Sequence, residues 1–394
     1  MRPTSSDVQV EWLESLDRIA AIEPEWRELE ARVEERLAFG SFDFIYPVYV
    51  HQPADRGTPL VGVARRAGAL VGVVPLILRS ATMGRVPVRR IDTAGHDADI
   101  GETLFPREEA PAFAELLESM FRRGGFHVAM FTGILPGSWR HEALLRAARH
   151  GGRRHEDFAY QYATVDLANG YDEYFNGLSA KLRGNLRRRR KRAEAVGCMA
   201  LDRIARTVDR ATLDEYMARV FTIYDRSWKM VGQKALQDYH RLLYSDVAHR
   251  FNQRGMLDLT ILQVGGRDAS FLLGLRERNV LHDLTISYDE EFASISPGTL
   301  LIQDLAKAAA PEGVRLVISH GDREYKRYWA SRWVPQVRTS LFPPGLRPGL
   351  ARLARFTLPR LADRARGLLR GGAERLPTAS KSRRSGSPGP LDNH

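Results

Sequence analysis

The sequence predicts an α/β (α+β) protein made of two tandem halves that are built alike. Three observations lead there. The order strand, turn, strand, strand, helix, glycine, strand occurs twice, at a repeat of roughly 190–200 residues. A chain of 394 residues exceeds one ordinary core and suits two domains and a tail. Hydrophobic residues make up 43 % of it, the share expected of a packed globular protein.

Taken in order, residues 11–39 read as one or two helices, because Trp12, Leu16, Ile19, Trp26, Leu29, Val33 and Leu37 recur at helical spacing. Strands follow over 60–66 and 70–78, joined by a turn at Ala67-Gly68, and a third fits 86–93. A helix over 108–123 ends at Gly124-Gly125, and 126–131 is a buried strand. Three helices come next, over 171–196, 210–228 and 237–254. The first pattern then returns. Strands occupy 257–264, 269–276 and 280–287, with a turn at Gly265-Gly266-Arg267-Asp268. A helix covers 297–310 and stops near Gly313, and 314–319 is the last strand. Such a pattern describes an antiparallel meander that finishes in a right-handed βαβ crossover. The expected divisions are an N-terminal helical segment (1–40), a first half (41–170), a basic helix with a second half (171–344), basic amphipathic helices (345–371) and a disordered Ser/Pro/Gly/Arg-rich tail (372–394).

The net charge of +11 is local. Residues 345–394 hold eleven Lys/Arg against three acids, and 181–192 hold eight bases and no acid, so the remainder is mildly acidic. No apolar run is long enough for a membrane span, and 1–11 lack the apolar core of a signal peptide. A single cysteine, Cys198, fits a reducing compartment and reads as a spectator. A cytoplasmic location follows, with peripheral contact at the inner membrane face as an option for the basic C-terminal stretch, where Leu350, Leu353, Phe356, Leu361, Leu368 and Leu369 lie among arginines. A helix packed on the body explains that stretch equally well.

Residues 288–305 are the most informative. Ser296 is placed to cap a helix, Pro297 suits the first turn, and Gly298 lets a ligand approach the backbone. The N–H groups of Gly298, Thr299 and Leu300 are expected to face outward. A helix start of this kind binds phosphate through unpaired donors and the helix dipole. Leu300, Leu301, Leu305 and Ala308 are expected to bury the other face. The matching place in the first half reads Phe105-Pro106-Arg107-Glu108-Glu109, with no glycine and two carboxylates that repel a pyrophosphate. Only the second half suits a phosphorylated ligand.

The last strand of the second half runs into Ser319-His320-Gly321-Asp322-Arg323-Glu324-Tyr325-Lys326. Chemistry in open sheets gathers at strand carboxyl ends. His320 is the candidate general base, Tyr325 or Tyr328 a candidate acid to a leaving thiolate, and Lys326 and Arg327 binders of an anionic substrate or phosphate. Asp322 is a further substrate-side candidate and an alternative base. His282 and Asp283 stand mid-strand on opposite faces, so one of them can point at a cleft, and His282 is kept as a substrate-binding candidate.

At these residues the sequence resembles the GNAT-type acetyltransferases of the CelD/BcsL cellulose-biosynthesis group, which carry a BioF-like acetyltransferase domain and are similar in turn to the FemABX transferases. The likeness rests on Leu178-Ser179-Ala180-Lys181-Leu182-Arg183 leading to Gly197, on Tyr288-Asp289 with Ser296-Pro297-Gly298 and Leu300-Leu301, and on Gly321 with Tyr325-Lys326 and Trp329. It spans about residues 41–333. It departs at Val317, where the family often has an acid, and at His96-Asp97-Ala98-Asp99. The resemblance implies two GNAT-like halves and an acetyl-CoA or other acyl-CoA co-substrate. It implies a pyrophosphate held by Ser296, Pro297, Gly298, Thr299 and Leu300, catalytic candidates that include Tyr288 and Asp289, and an amine or hydroxyl acceptor on a small molecule or glycan precursor. No metal is expected. Two rival readings stand beside it. One is an aminoacyl-tRNA-dependent transferase of FemABX type, supported by the basic helix, although Leu178, Leu182 and Leu186 make that helix a docked one with a solvated face and nucleic acid an unlikely partner. The other is a non-catalytic, membrane-associated scaffold.

Overall fold

The computed structural model describes residues 7–34, 37–95, 102–228, 234–320, 326 and 329–358, without the side chains of 150, 151, 234–237, 319 and 320. The first half opens with β1 (Val8–Leu13), α1 (Leu16–Ala21), α2 (Glu23–Arg32) and α3 (Phe42–His51). It continues through β2 (Thr58–Arg66), β3 (Ala69–Met83), β4 (Val86–Thr93), α4 (Ala110–Arg123), β5 (Val128–Ile134), α5 (Trp139–Gly151) and β6 (Arg153–Val165). Then come α6 (Tyr171–Gly177), α7 (Ala180–Val196), β7 (Met199–Ile204), α8 (Arg210–Asp225) and α9 (Lys234–Gln253). The second half completes with β8 (Leu257–Val264), β9 (Arg267–Glu277), β10 (Val280–Tyr288), α10 (Pro297–Ala309), β11 (Arg315–His320) and β12 (Arg332–Phe342), and α11 (Leu346–Arg352) follows.

All twelve strands belong to one sheet in the order β1-β2-β3-β4-β5-β12-β6-β11-β10-β9-β8-β7. Each half is an antiparallel meander, β1 to β4 or β7 to β10, followed by a helix and a parallel strand: β4 pairs parallel with β5, and β10 with β11. The fold is thus the tandem α/β arrangement expected from the sequence. The seam between the halves is an exchange. β6, the chain's next strand after β5, pairs with β11, while β12, the next after β11, pairs with β5, and the two exchanged strands pair antiparallel with each other.

Both ends of the sheet bury one face in a common core. Val61, Val63 and Val73 of the first half meet Leu257, Leu259, Phe271 and Leu273 of the second through Phe39, Phe42 and Phe44, together with Leu213, Val220, Leu243 and Val247 of α8 and α9. The opposite face is covered separately, by α10 in the second half and by α4 and α5 in the first.

Several expectations need correction. Residues 8–13 form an edge strand, not the start of a helix: Val8, Val10 and Trp12 alternate, and all six residues pair with β2. Helix α3 was not expected from its aromatic and β-branched content and its internal Pro47. Near-complete burial of Phe42, Asp43, Phe44, Ile45, Val48 and Tyr49 holds it helical against propensity. The basic helix is two helices, because Ser179 Oγ accepts from the Leu182 N–H at 3.3 Å and starts α7 afresh. On α10 the buried face is Leu300, Leu301, Ile302, Leu305, Ala306 and Ala309, while Ala308 is exposed. The segment after Gly345 is docked: Ala351 is buried beside Met83, Val88, Val128 and Phe342, and Phe356 packs against the same cluster. The tail from 359 onward lies outside the described residues.

Candidate active site

The site is built where two parallel strands separate. β10 and β11 keep register through Val280↔Arg315, Leu281↔Leu316 and His282↔Val317, and no further. Beyond that point β10 stays with β9 as far as Tyr288, and β11 goes on with β6 as far as His320. The parting strands leave a wedge between them. At its mouth β10 is bulged. Asp283 faces Gly274 and Thr285 faces Leu273, so Leu284 is an extra residue in the ladder. A bulge turns backbone groups out of the ladder and re-aims the strand. In the first half β4 runs beside β3 from Val86 to Thr93 without any shift. Among the described residues only the second wedge shows the bulge.

Helix α10 begins beside this wedge. Ser296 occupies the cap position, but not as expected: its backbone is left-handed, at φ 56° and ψ 58°, and its side chain makes no capping bond. A serine at such angles stores strain of order 1 kcal/mol, and such strain collects at functional sites. The Ser296 carbonyl accepts from the N–H groups of Thr299 (3.0 Å) and Leu300 (3.4 Å), so those two donors are not free as anticipated. Within the described residues the Gly298 N–H has no backbone partner of this kind. A Cβ on Gly298 would meet only Ile286 and Tyr288, both at 3.9 Å, so nothing in the protein itself requires glycine there. Thr299 and Leu300 are buried beneath it.

The matching place in the first half is closed. Glu109 stands at the N-cap of α4 and pairs with Arg66 at 2.9 Å. The Phe105 ring lies across Gly72 of β3 so closely that a Cβ there would come within 1.8 Å of it. A negative cap and a ring thus replace the open glycine of α10.

The candidate side chains divide. Tyr288 ends β10 near Gly298, and burial together with the neighbouring Glu290 raises its pKa, so it stays protonated at neutral pH. Asp289 has structural employment: it accepts from the Glu291 N–H at 3.0 Å and pairs with Arg226 at 3.2 Å, which fixes the turn leading to α10. His282 is buried at 1 % exposure, edge-on to Phe39 at 5.5 Å, with neither ring nitrogen hydrogen-bonded. Burial, aided by the Arg315 charge, pushes its pKa down to about 3, so it is neutral. Lys326 is also buried, at 1 % exposure, and its carbonyl accepts from the N–H groups of Trp329 and Ala330. His320 is described only as the last residue of β11, on the far wall of the wedge. Tyr325, Asp322, Arg327 and Tyr328 lie outside the described residues.

Sequence reasoning missed the Leu284 bulge and the buried Ser287 hydroxyl, which has no hydrogen-bond partner and shares the His282 face of β10. Neither has a sequence signal, because both depend on register. Helix α7 packs along α10 and the 290–295 turn, with Arg190 bonded to Gln303 at 3.2 Å and paired with Asp304. Lys181, Arg187, Arg188, Lys191 and Arg192 remain exposed on it. Among the described residues no group of three His, Cys, Asp or Glu gathers as a metal site, and no helix is long and apolar enough to cross a membrane.

Residues 180–327, less than half of the chain, match the family model for the acetyltransferase (GNAT) domain. No curated protein matches the chain. Among solved structures it is similar to FemX, with a TM-score of 0.56, 12 % identity, and 87 % of this chain and 99 % of that one covered. It is also similar to a conserved protein of unknown function from Bacteroides thetaiotaomicron, with a TM-score of 0.52, 11 % identity, and 84 % and 100 % covered. A tandem GNAT protein from the clavulanic acid biosynthesis pathway shares 15 % identity at a TM-score of 0.47, with 86 % and 100 % covered. At these identities the likenesses show the fold alone. The matched stretch takes in α7, the wedge and the start of α10.

Proposed function

We propose that this chain is an acyltransferase that uses acetyl-CoA or another acyl-CoA in its second half. The observation that carries the reading is the bulged wedge between β10 and β11 opening beside Gly298, where the first half has Glu109 at its helix start instead. A GNAT-domain match over the same residues supports it. In this reading the pyrophosphate of the donor lies on the start of α10, where Gly298 gives room and an N–H, with Ser296, Pro297, Thr299 and Leu300 shaping the turn. The thioester reaches into the wedge. A main-chain N–H at the Leu284 bulge then steadies the oxyanion as an acceptor amine or hydroxyl attacks the carbonyl. The new C–N or C–O bond forms, the C–S bond breaks, and the proton of the acceptor ends on the thiol.

Tyr288 suits the proton donor to sulfur, because its raised pKa keeps it protonated. His320, at the end of β11, is the proposed base. Tyr325, Lys326 and Asp322 are the proposed residues for the acceptor. His282 and Ser287 have polar atoms without partners on the inner face of the wedge strand, which suits an acceptor of small size and polar character, such as a glycan precursor. An acyl-CoA donor places the reaction in the cytoplasm.

Calorimetric titration with CoA tests the reading. Gly298→Val adds bulk where the protein itself has space, so its melting temperature should match wild type while CoA affinity falls at least tenfold. Equal affinity in the two proteins would sink the proposal.

A further inference from the structure

An open cleft of the molecule lies away from the α10 start. It lies in the first half, on the face of the sheet opposite α4, and has a volume of about 470 Å³. Five guanidinium groups line it: Arg56, Arg79, Arg90, Arg338 and Arg355. Two carboxylates, Asp92 and Asp157, stand with them. Asp92 serves both Arg79 and Arg90, the second at 2.8 Å, and Asp157 lies 3.7 Å from Arg338. Among the described residues, five guanidinium groups and two carboxylates thus line one concave wall, where field lines concentrate.

The arginines are held, not merely nearby. Arg56 lies over the Tyr239 ring at 4.8 Å. Arg79 and Arg90 sit on the adjacent strands β3 and β4, and Arg338 on β12, beyond β5. Arg355 is brought in by the docked C-terminal segment. Gly84, at φ 54° in the β3–β4 turn, allows the backbone at Ala354 so close that a Cβ would come within 2.5 Å of its carbonyl carbon. Phe356 stacks on His155 with ring centres 3.6 Å apart. The same segment leaves Leu346, Leu350, Leu353 and Leu358 exposed beside Arg355.

We infer that this cleft binds a phosphate-bearing group, a role separate from the acyl donor site. Guanidinium forks match phosphate oxygens two at a time, and five of them along one cleft suit a multiply charged oxyanion. The phosphate can belong to a soluble phosphate ester or to a lipid headgroup, and the exposed leucines make the second source worth a separate arm.

The test uses the full chain carrying Gly298→Glu, so that the start of α10 does not compete. Inorganic pyrophosphate is titrated by calorimetry, and flotation compares phosphatidylcholine vesicles with and without phosphatidylglycerol. Arg355→Gln alters an exposed side chain and Arg56→Gln one at the rim; both should keep the parent melting temperature. Pyrophosphate affinity should fall about tenfold in the double variant and fall again in raised salt. Anionic vesicles that bind, are displaced by pyrophosphate and lose the double variant identify a lipid source. Pyrophosphate binding without vesicle binding identifies a soluble one. The inference is overturned if neither probe binds, or if whichever binds does so equally well with both arginines replaced. CoA titration of the chain with native Gly298 reports on the donor site independently.

Discussion

Arg254, next to the end of α9, donates to Asp43 of α3 at 2.9 Å and so joins the helices between the halves to the first half. Arg27 grips the same carboxylate with both terminal nitrogens, at 2.8 and 2.6 Å, and Glu30 accepts from Arg254 at 3.0 Å. Burial pushes the Asp43 carboxyl up, but the two guanidinium groups outweigh it and its pKa is lowered. Asp43→Ala leaves two arginines facing a buried gap and should cost about 3 kcal/mol in denaturant unfolding. The sign with pH follows. Asp43's contribution is complete above the ordinary value of 3.8 and is lost as pH falls through the lowered folded value. Asp43→Ala should therefore show a flatter acid limb. An unchanged limb would remove Asp43 from the network.

His282 gives a second pH signature. It is neutral in the fold, with a pKa of about 3, and takes up a proton near 6.5 when unfolded. Folding therefore expels a proton between these values, and stability that is complete above 6.5 is lost as pH falls towards 3. The slope is at most about 1.4 kcal/mol per pH unit. His282→Leu keeps the volume and removes the titration, so the stability difference between variant and wild type should grow as the solution is acidified. A constant difference across that window would contradict a buried, neutral His282.

Much of the frame was legible because burial and period agreed. Val86–Thr93, Leu257–Val264 and the start of α10 at Pro297 fall where alternation, Pro and Gly put them. Helix α3 was not, since Phe42, Ile45 and Val48 favour strand locally and only tertiary burial makes them helical. β6 escaped notice because its first residues, Arg153, Arg154, His155, Glu156 and Asp157, are polar, and three of them, Arg153, Arg154 and Glu156, are exposed. The wedge was only half legible. Gly298 and Tyr288 were visible as a motif, whereas the Leu284 bulge exists only in the pairing of β10 with β9. Asp289 was visible as part of the motif, whereas its contacts with the Glu291 N–H and with Arg226, which brace the turn before α10, depend on the fold.

The C-terminal segment offers a third prediction. Ala351 is buried and Phe356 packs on the small core of Met83, Val88, Val128 and Phe342. Truncation after Pro344 removes both and uncovers that core, and should cost roughly 2 kcal/mol or more. A truncated chain that melts with wild type would mean that this packing adds nothing.

The exchange of β6 and β12 sets the last expectation. A chain cut at 170 carries β6 but lacks β12, so β5 and β6 lose the strand that lies between them, which forms eleven register pairs with β6 alone. A fragment from 171 to 344 carries β12 but lacks β6, so β11 and β12 lose theirs. Each fragment would also expose its share of the common core, in which Val61 and Val73 meet Leu257 and Phe271. Neither should fold alone, despite a repeat that makes each half look like a domain. Open edges at β5 and β11 should make both fragments aggregate. Mixed from denaturant, the two should recover a folded heterodimer, because each supplies the strand the other needs. The measurement is circular dichroism with size-exclusion chromatography of the separate and mixed fragments. A monomeric fragment with a cooperative melt would show that the exchanged strand is dispensable, and that the halves are domains after all.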